Sequence, residues 1–271
     1  MKECQNKDEQ WTPINIAASK GHTEIIKVLI GCTPNPNAPT NMGRTPIHTA
    51  ASLGYLEIVQ VMIECIDNPD AVDNFGETPI HSAAEKGYTK IVKALIKCID
   101  KPNASNNWGD TPIHYAASKG HTDIVNILID CTENPNQPNI NGETPIHNAA
   151  SKGHIEVLNS LIKCTKNPNA HSYSGDTPLH RATDRGHIEI VKALIKCTNN
   201  PNSPNNRGET PIFKAAYYGH TEILKSLIEC TDDPNAATFY GRTPYQTAID
   251  HLIATQDYKH LETIKLLKPY I

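Results

Sequence analysis

Aromatic residues are scarce in this 271-residue chain, which contains only 3 Phe and 2 Trp. A hydrophobic core must therefore be built mainly from Ile, Leu, Val and Ala. A surplus of positive charge is also missing, because 25 Lys and Arg residues face 29 Asp and Glu residues. Nucleic-acid-binding proteins usually carry such a surplus in order to neutralise phosphates. We therefore expect no nucleic acid among the partners of this protein.

Long apolar segments are missing as well. The longest ones have the length of a short helix and are interrupted by charged residues, so none is expected to cross a membrane. The first residues, Met1 to Trp11, are polar and charged and do not have the pattern of a secretory signal. These absences predict an intracellular protein, located in the cytoplasm or, as the alternative, in the nucleus.

The chain does contain a strict internal repeat. The dipeptide Thr-Pro recurs every 33 residues, and a period of this length indicates stacked supersecondary units. The dipeptides begin at Thr12, Thr45, Thr78, Thr111, Thr144, Thr177, Thr210 and Thr243. One unit cannot bury its own apolar face, whereas stacked neighbours can, so residues 1–271 are predicted to form a single repeat domain. Residues 243–271 contain an insertion, which predicts a C-terminal cap with a longer first helix.

Each copy carries the signals of two short helices. In the fourth copy Thr111 suits a helix N-cap, and Pro112 suits the first helical position. Gly120 predicts the end of this helix in a left-handed conformation. A second helix with apolar residues at helical spacing follows, and the Asn-Pro-Asn segment 134–136 ends it. The residues that lead from there to Gly142 are typical of a protruding turn or hairpin.

These motifs resemble the ankyrin repeat. The family pattern T-P-L-H-x-A-A appears here from Thr45 to Ala51 with Ile47 in place of the leucine, and the G-H-x-E-I-V segment appears from Gly186 to Val191. The match extends from about Gln10 to Ile271. The resemblance implies an all-α ankyrin-repeat solenoid of stacked helix-turn-helix units with protruding hairpin loops. It also implies a concave surface, made by the first helices and the hairpin tips, that binds partner proteins.

The second helices end differently from those of the family. Where the family usually has glycine, this chain has Thr33, Ile66, Ile99, Thr132, Thr165, Thr198 and Thr231. A β-branched residue disfavours positive φ, so we expect no left-handed cap at these positions.

Cysteine also follows the 33-residue period. The series comprises Cys32, Cys65, Cys98, Cys131, Cys164, Cys197 and Cys230, and Cys4 stands outside it. Packed helices lie about 8–10 Å apart, which exceeds the reach of a disulfide or of a shared metal ion. We therefore predict small, buried or half-buried core residues, and no metal site.

Histidine forms two columns along the repeats. One contains His48, His81, His114, His147 and His180, and the other contains His22, His121, His154, His187 and His220. Metal binding or general-base catalysis is one interpretation. The alternative, which we favour, is that each imidazole bonds backbone groups of its own or the next turn. No catalytic grouping and no phosphate-binding loop stands out from the repeat, so we expect no enzyme and no cofactor.

Function is expected at the positions where the copies differ. Aromatic and arginine side chains there are candidate anchors for a partner, and seven residues are selected: Trp108, Tyr115, Tyr173, Arg181, Lys214, Tyr217 and Tyr240. The alternative is that these aromatics only cover neighbouring loops. Arg181, Arg185, Arg207 and Lys214 predict a locally basic groove and therefore an acidic or aromatic-rich peptide as the ligand.

The leading functional hypothesis is a monomeric, non-catalytic scaffold that binds a protein or peptide on its concave surface, with no nucleic acid and no membrane involved. A first alternative is a structural spacer, one segment of a longer ankyrin array. A second alternative is a substrate of an asparaginyl hydroxylase, because the loop asparagines resemble such targets. These are Asn37, Asn103, Asn136, Asn169, Asn202 and Asn235.

Overall fold

A computed structural model describes residues 11–271 of the chain. These residues form sixteen α-helices and one 3₁₀ turn, without a strand, which confirms the predicted all-α class. No helix among them is long and apolar enough to cross a membrane. The described residues divide into two compact units, 11–133 and 134–271, and each is a stack of helix pairs.

In the first unit, a short first helix alternates with a second helix. The first helices are α1 (Pro13–Ser19), α3 (Pro46–Leu53), α5 (Pro79–Lys86) and α7 (Pro112–Lys119). The second helices are α2 (Thr23–Cys32), α4 (Leu56–Cys65), α6 (Thr89–Leu95) and α8 (Thr122–Ile129). Each first helix packs against the first helix of the next copy, and second helices pack in the same way.

The second unit repeats this arrangement. Its first helices are α9 (Pro145–Lys152), α11 (Pro178–Asp184), α13 (Pro211–Tyr218) and α15 (Pro244–Thr255). Its second helices are α10 (Ile155–Lys163), α12 (Ile188–Ile195), α14 (Thr221–Ile228) and α16 (Lys259–Leu267), followed by the 3₁₀ turn Lys268–Tyr270. Helix α15 has 12 residues against 8 in α13, so the longer first helix predicted for the last copy is confirmed.

The first helices begin and end where the local signals predict. Thr111 is the N-cap of α7, Pro112 occupies its first turn, and His114 completes a capping box by accepting the Thr111 backbone N–H at 3.0 Å. Gly120 ends the helix with φ 77°, in the left-handed region that glycine adopts without strain. The same Thr-Pro start recurs in every first helix of the described chain.

The second helices end without a left-handed cap, as expected. Thr33 and Ile66 follow α2 and α4 with φ −116° and −122°, which is extended backbone. Helix ends leave carbonyl groups without partners, and thiols satisfy some of them here. The Sγ of Cys98 donates to the Leu95 carbonyl at 3.1 Å, and that of Cys164 donates to the Leu161 carbonyl at 3.2 Å.

The prediction that the cysteines are core residues is wrong. Six of the seven described thiols belong to exposed residues, Cys230 is half-buried, and all seven are free. The physical reason is their place in the last turn, beside the apolar stripe rather than on it: Leu95 is fully buried, whereas Cys98 is exposed. Cys4 lies outside the described residues.

Histidines join each copy to its neighbour. The Nδ1 of His48 accepts the backbone N–H of Thr45, and its Nε2 donates to the Glu77 carbonyl at 2.9 Å, 29 residues ahead. Burial lowers the pKa of His48 to about 4, so the ring is neutral at pH 7. In the second column, His121 donates from Nε2 to the Glu85 carbonyl at 3.1 Å. The predicted bonding to the same or the next turn is confirmed in the first column, whereas rings of the second column bond the preceding copy, as His121 and His187 do.

The hairpins that follow the second helices are joined edge to edge within each unit. The Asn107 backbone N–H donates to the Phe75 carbonyl at 3.0 Å, and the Asn107 side chain donates to the Asn74 carbonyl at 3.1 Å. Glycine is required beside this link, because a Cβ on Gly76 would lie 2.5 Å from Asn107 Oδ1. The side chains at the hairpin tips are therefore carried on a firmly bonded backbone.

Candidate interaction surfaces

The hairpin tips of the first unit present an apolar row, here called the tip row, formed by Met42, Phe75 and Trp108. The Phe75 and Trp108 rings stack with their centroids 5.6 Å apart and their planes 20° apart. Yet 38% of Phe75 and 43% of Trp108 remain exposed. The two rings stabilise one another but leave a flat apolar edge towards solvent, and such an edge suits contact with another apolar group.

Tyr115 lies beneath this row on α7 and is more constrained than the sequence suggests. Its hydroxyl donates to Glu77 Oε1 and accepts from Asn106 Nδ2 at 3.1 Å. Its ring meets His81 edge-on, with the centroids 5.8 Å apart. Burial, and then the Glu77 carboxylate, raise the pKa of Tyr115. The hydroxyl is therefore used within the protein, and only part of the ring can face a partner.

In the second unit, the two predicted cationic anchors are paired with carboxylates. Arg181 on α11 donates to Glu143 and lies 3.7 Å from Asp176. Lys214 on α13 lies 2.8 Å from Glu209, and a further carboxylate, Asp184, lies 3.8 Å from its Nζ. Four carboxylates therefore surround two cations.

The predicted surplus of positive charge is not found in this region. Arg181, Arg185, Arg207 and Lys214 are matched in number by Glu143, Asp176, Asp184 and Glu209. The acidic partners were missed because they stand in other hairpins or one turn further along the helix. The structure shows a charge-balanced network instead of a basic groove.

Electrostatic coupling extends through this network. Burial opposes the ionisation of Asp176, but the hydrogen bond from Asn205 and the nearby cations, Arg181 and Lys214 among them, outweigh burial and lower its pKa. At Asp184 burial dominates and raises the pKa. Arg181 and Lys214 therefore act on the same carboxylate, Asp176.

An aromatic cluster occupies the end of α13 in the second unit. The Tyr217 ring lies 4.8 Å from that of Tyr218 and 4.1 Å from that of His251, between centroids. Tyr217 is 36% exposed, so it combines internal packing with an open face. His251 is the eighth residue of α15 and stands 33 residues after Tyr218, which is the last residue of α13.

Two further predicted anchors stand at hairpin tips of the second unit. Tyr173 is 71% exposed and Tyr240 is 81% exposed. The Tyr173 backbone N–H donates to the Asn141 carbonyl at 2.9 Å, which fixes the backbone while the ring projects into solvent. These two rings contribute little to packing in the isolated chain.

The loop asparagines have a structural role. The Oδ1 of Asn103 accepts the backbone N–H of Ile113 at 3.2 Å, and Asn136 bonds Ile146 in the same way. Only 8% of Asn103 is exposed. An asparaginyl hydroxylase would therefore need local opening of the repeat to reach the side chain.

Metal-ligating side chains are not clustered in the described part of the chain. Within residues 11–271, no group of three or more His, Cys, Asp and Glu side chains is placed to hold a metal ion. The buried histidines of the first column are already bonded on both ring nitrogens, as at His48 and His180.

Comparison with known proteins agrees with this architecture. The family model described as ankyrin repeats (3 copies) matches residues 1–73, 62–139, 131–205 and 194–270. No curated protein matches the chain at a significant level. The matched segments together extend over nearly the whole sequence, and they contain the helix pairs described above. This chain belongs to the ankyrin-repeat family.

Proposed function

We propose that this protein binds a partner protein or peptide, without catalysing a reaction, through the surfaces that the hairpin tips and first helices form within its two units. Ankyrin repeats are in general protein–protein interaction modules and are in general not catalytic. The observation that carries the proposal is the exposure of Trp108, Tyr173, Tyr217 and Tyr240 at positions where the copies differ.

These aromatics have the energetic profile of binding anchors. A ring that remains 43–81% exposed, as Trp108, Tyr173 and Tyr240 do, adds little to the stability of the isolated chain. The same ring buried by a partner removes a large apolar area from water at a small loss of side-chain freedom. Aromatic residues in such positions are therefore enriched among binding hot spots.

The seven candidate residues have two different roles in this proposal. Trp108, Tyr173, Tyr217 and Tyr240 contact the partner directly. Tyr115, Arg181 and Lys214 shape the floor beneath it, because their polar groups are bonded to carboxylates of the chain itself.

The charge balance also indicates which kind of ligand is favoured. Since Arg181 and Lys214 are already paired, an acidic ligand would have to compete with Glu143 and Glu209 for them. We therefore favour the aromatic-rich form of the predicted ligand over the acidic form. Binding through apolar anchors should depend little on ionic strength, unlike binding between exposed charges.

The test begins with crosslinking and capture of partners from the source cell with the full chain as bait. Each captured protein is then purified and its affinity is measured against the native chain, Trp108→Ala and Tyr217→Ala. The matched controls are Val28→Ala and Tyr258→Ala, which remove exposed apolar groups from α2 and from the α15–α16 turn.

A loss of at least tenfold in affinity with Trp108→Ala or Tyr217→Ala, but not with the controls, is the expected result; it corresponds to about 1.4 kcal/mol. Circular dichroism establishes that the variants are folded. A partner whose affinity is equal for all five proteins would place the binding site elsewhere and would overturn the proposal.

A further inference from the structure

A second kind of site lies away from the aromatic residues, in the second unit. The loops that follow α10 and α12 enclose an open cavity of about 450 Å³. Its lining is polar and includes Lys166, His171, Asn167, Thr198, Asn200 and Ser203. No Asp or Glu is among the residues that line it. The cavity therefore offers hydrogen-bond donors and a cation without a matching anion.

The Lys166 ammonium of this cavity is not paired with a carboxylate of the described residues. Lys166 and His171 are exposed, and neither takes part in an ion pair within residues 11–271. The sequence has no Asp or Glu between Glu156 and Asp176. The loop that follows α12 is equally free of acidic residues, because none occurs between positions 189 and 209.

This chemistry is a property of one copy and not of the repeat. The place of Lys166 is taken in other copies by Pro34, Asp67, Asp100, Glu133, Asn199 and Asp232. The place of His171 is taken by Pro39, Val72, Ser105, Pro138, Pro204 and Ala237. The corresponding cavity of the first unit is lined by Asp67 and by no Lys, Arg or His.

Helix dipoles do not account for the two residues. A cation in the last turn of a helix is favourable, and this explains Lys163 at the end of α10. Lys166 and His171 lie beyond the helix, in the loop. Four other copies have a carboxylate at the position of Lys166, so the helix end does not require a cation there.

We propose that this cavity binds a phosphate monoester group. Lys166 supplies a mobile positive charge, and the His171 ring supplies a directed N–H donor. Amide and hydroxyl groups of Asn167, Thr198 and Ser203 complete a set of donors for a tetrahedral anion with several acceptor oxygens. The volume lies within the range of small-ligand sites, so it accommodates the phosphoryl group together with the group that carries it.

The proposal does not depend on the aromatic surfaces, and it is tested without an unknown partner. Isothermal titration calorimetry of the full chain at low ionic strength uses three probes: inorganic phosphate, O-phosphoserine and serine. We expect weak but saturable binding of O-phosphoserine and inorganic phosphate, and no binding of serine. Raising the ionic strength should weaken it, since the interaction is partly between exposed charges.

Variants locate the site. Lys166→Asp introduces the residue found in three other copies, and Lys166→Gln removes only the charge. Both should weaken binding at least tenfold, and His171→Val should weaken it further when combined with either. The control is Lys192→Asp on α12, since Lys192 pairs with Glu189 and does not line the cavity.

Each outcome decides the question. Tighter binding of phosphoserine than of inorganic phosphate supports the site and identifies a phosphorylated side chain as its source. Binding of inorganic phosphate that equals or exceeds that of phosphoserine overturns the assignment to a monoester, because the free anion then accounts for the site. Absence of saturable binding, or binding that is unchanged in the folded Lys166→Gln variant, overturns the proposal.

Discussion

The Tyr115 hydroxyl donates a hydrogen bond to the Glu77 carboxylate, 38 residues earlier in the chain. The same separation joins Arg44 to Ser82, with 3.2 Å between Nη2 and Oγ, and it joins Glu143 to Arg181. Each pair links the residue before one Thr-Pro dipeptide to the first helix of the next copy. The chain thus preserves one contact between repeats while exchanging the chemical groups that make it.

Removing the Tyr115 hydroxyl should destabilise the first unit, while the phenyl ring still fills the same space. We expect Tyr115→Phe to lower the free energy of unfolding by about 1 kcal/mol, because a half-buried hydrogen bond to a charged acceptor is lost. Urea unfolding followed by circular dichroism measures this. In Glu77→Gln, where the charge is absent, the same substitution should have a smaller effect; equal effects in both backgrounds would show that the bond contributes nothing.

Asp70 is expected to lower the stability of the first unit at neutral pH. Other copies have asparagine at this place, and Asn103 uses its Oδ1 to accept the Ile113 N–H. Asp70 is half-buried with one oxygen lacking a hydrogen-bond partner, and burial, then Asp100, raise its pKa to about 6. A carboxyl group with a raised pKa in the folded state destabilises the protein above that pKa and not below its unfolded value near 3.8.

Asp70→Asn should therefore stabilise the protein at pH 7.5, by about 1 kcal/mol after allowance for solvent screening. The gain should shrink as the pH falls from 6 towards 4. Urea midpoints at pH 7.5, 6 and 4.5 follow the effect, and Asp67→Asn removes an exposed charge as the control. A gain that does not change with pH would exclude ionisation of Asp70 as its cause.

The buried histidines should make the fold sensitive to acid. Burial lowers the pKa of His180 to about 4, against 6.5 in an exposed chain. The unfolded chain therefore binds protons more readily than the folded chain between these values, and stability must fall as the pH drops from 6.5 to 4. The same holds for His48 and His81, whose pKa values are also lowered to about 4.

Substituting one buried histidine separates the contribution of its hydrogen bonds to stability from its effect on the pH dependence of stability. His180→Phe copies the natural Phe213, which is buried in the seventh copy with 5% exposure. It should lower stability at pH 7, because the bonds to Thr177 and Glu209 are lost. It should also flatten the dependence of stability on pH between 6.5 and 4, measured by urea unfolding; an unchanged slope would contradict the assignment.

Thiol reactivity tests the corrected placement of the cysteines. The exposed thiols should react with a maleimide in the folded protein, which core residues would not do. Burial raises the pKa of Cys98, Cys131 and Cys164, so they should react more slowly at pH 7 than an unshifted exposed thiol. Peptide mapping by mass spectrometry gives the rate at each site. Protection of all these thiols until urea is added would restore the original prediction.

Much of the fold followed from local signals. Thr111 and Gly120 act on hydrogen bonds and dihedral angles within one turn, so their neighbours along the chain are sufficient to predict where α7 begins and ends. The cysteine prediction failed because it rested on a general residue preference and not on a local signal. A general preference for burial does not tell on which side of the last turn a small residue lies, and Cys98 lies beside the stripe that contains Leu95.

The candidate surfaces were predicted only in part. Exposure of Trp108, Tyr173 and Tyr240 agrees with their place at the hairpin tips. The partners of Arg181 and Tyr115 could not be anticipated, because each lies 38 residues away and no local pattern marks it. The cavity at Lys166 was also missed, although the signal was present as a lysine in a place where most other copies are acidic.

The sequence by itself determined the repeat, the helix pairs and the family, because caps, prolines and glycines act within a single copy and recur at a fixed period. Only the tertiary structure decided which side chains remain available to a partner. That depends on through-space pairing between copies: stacking places a carboxylate against Arg181 and leaves the cavity beside Lys166 without one.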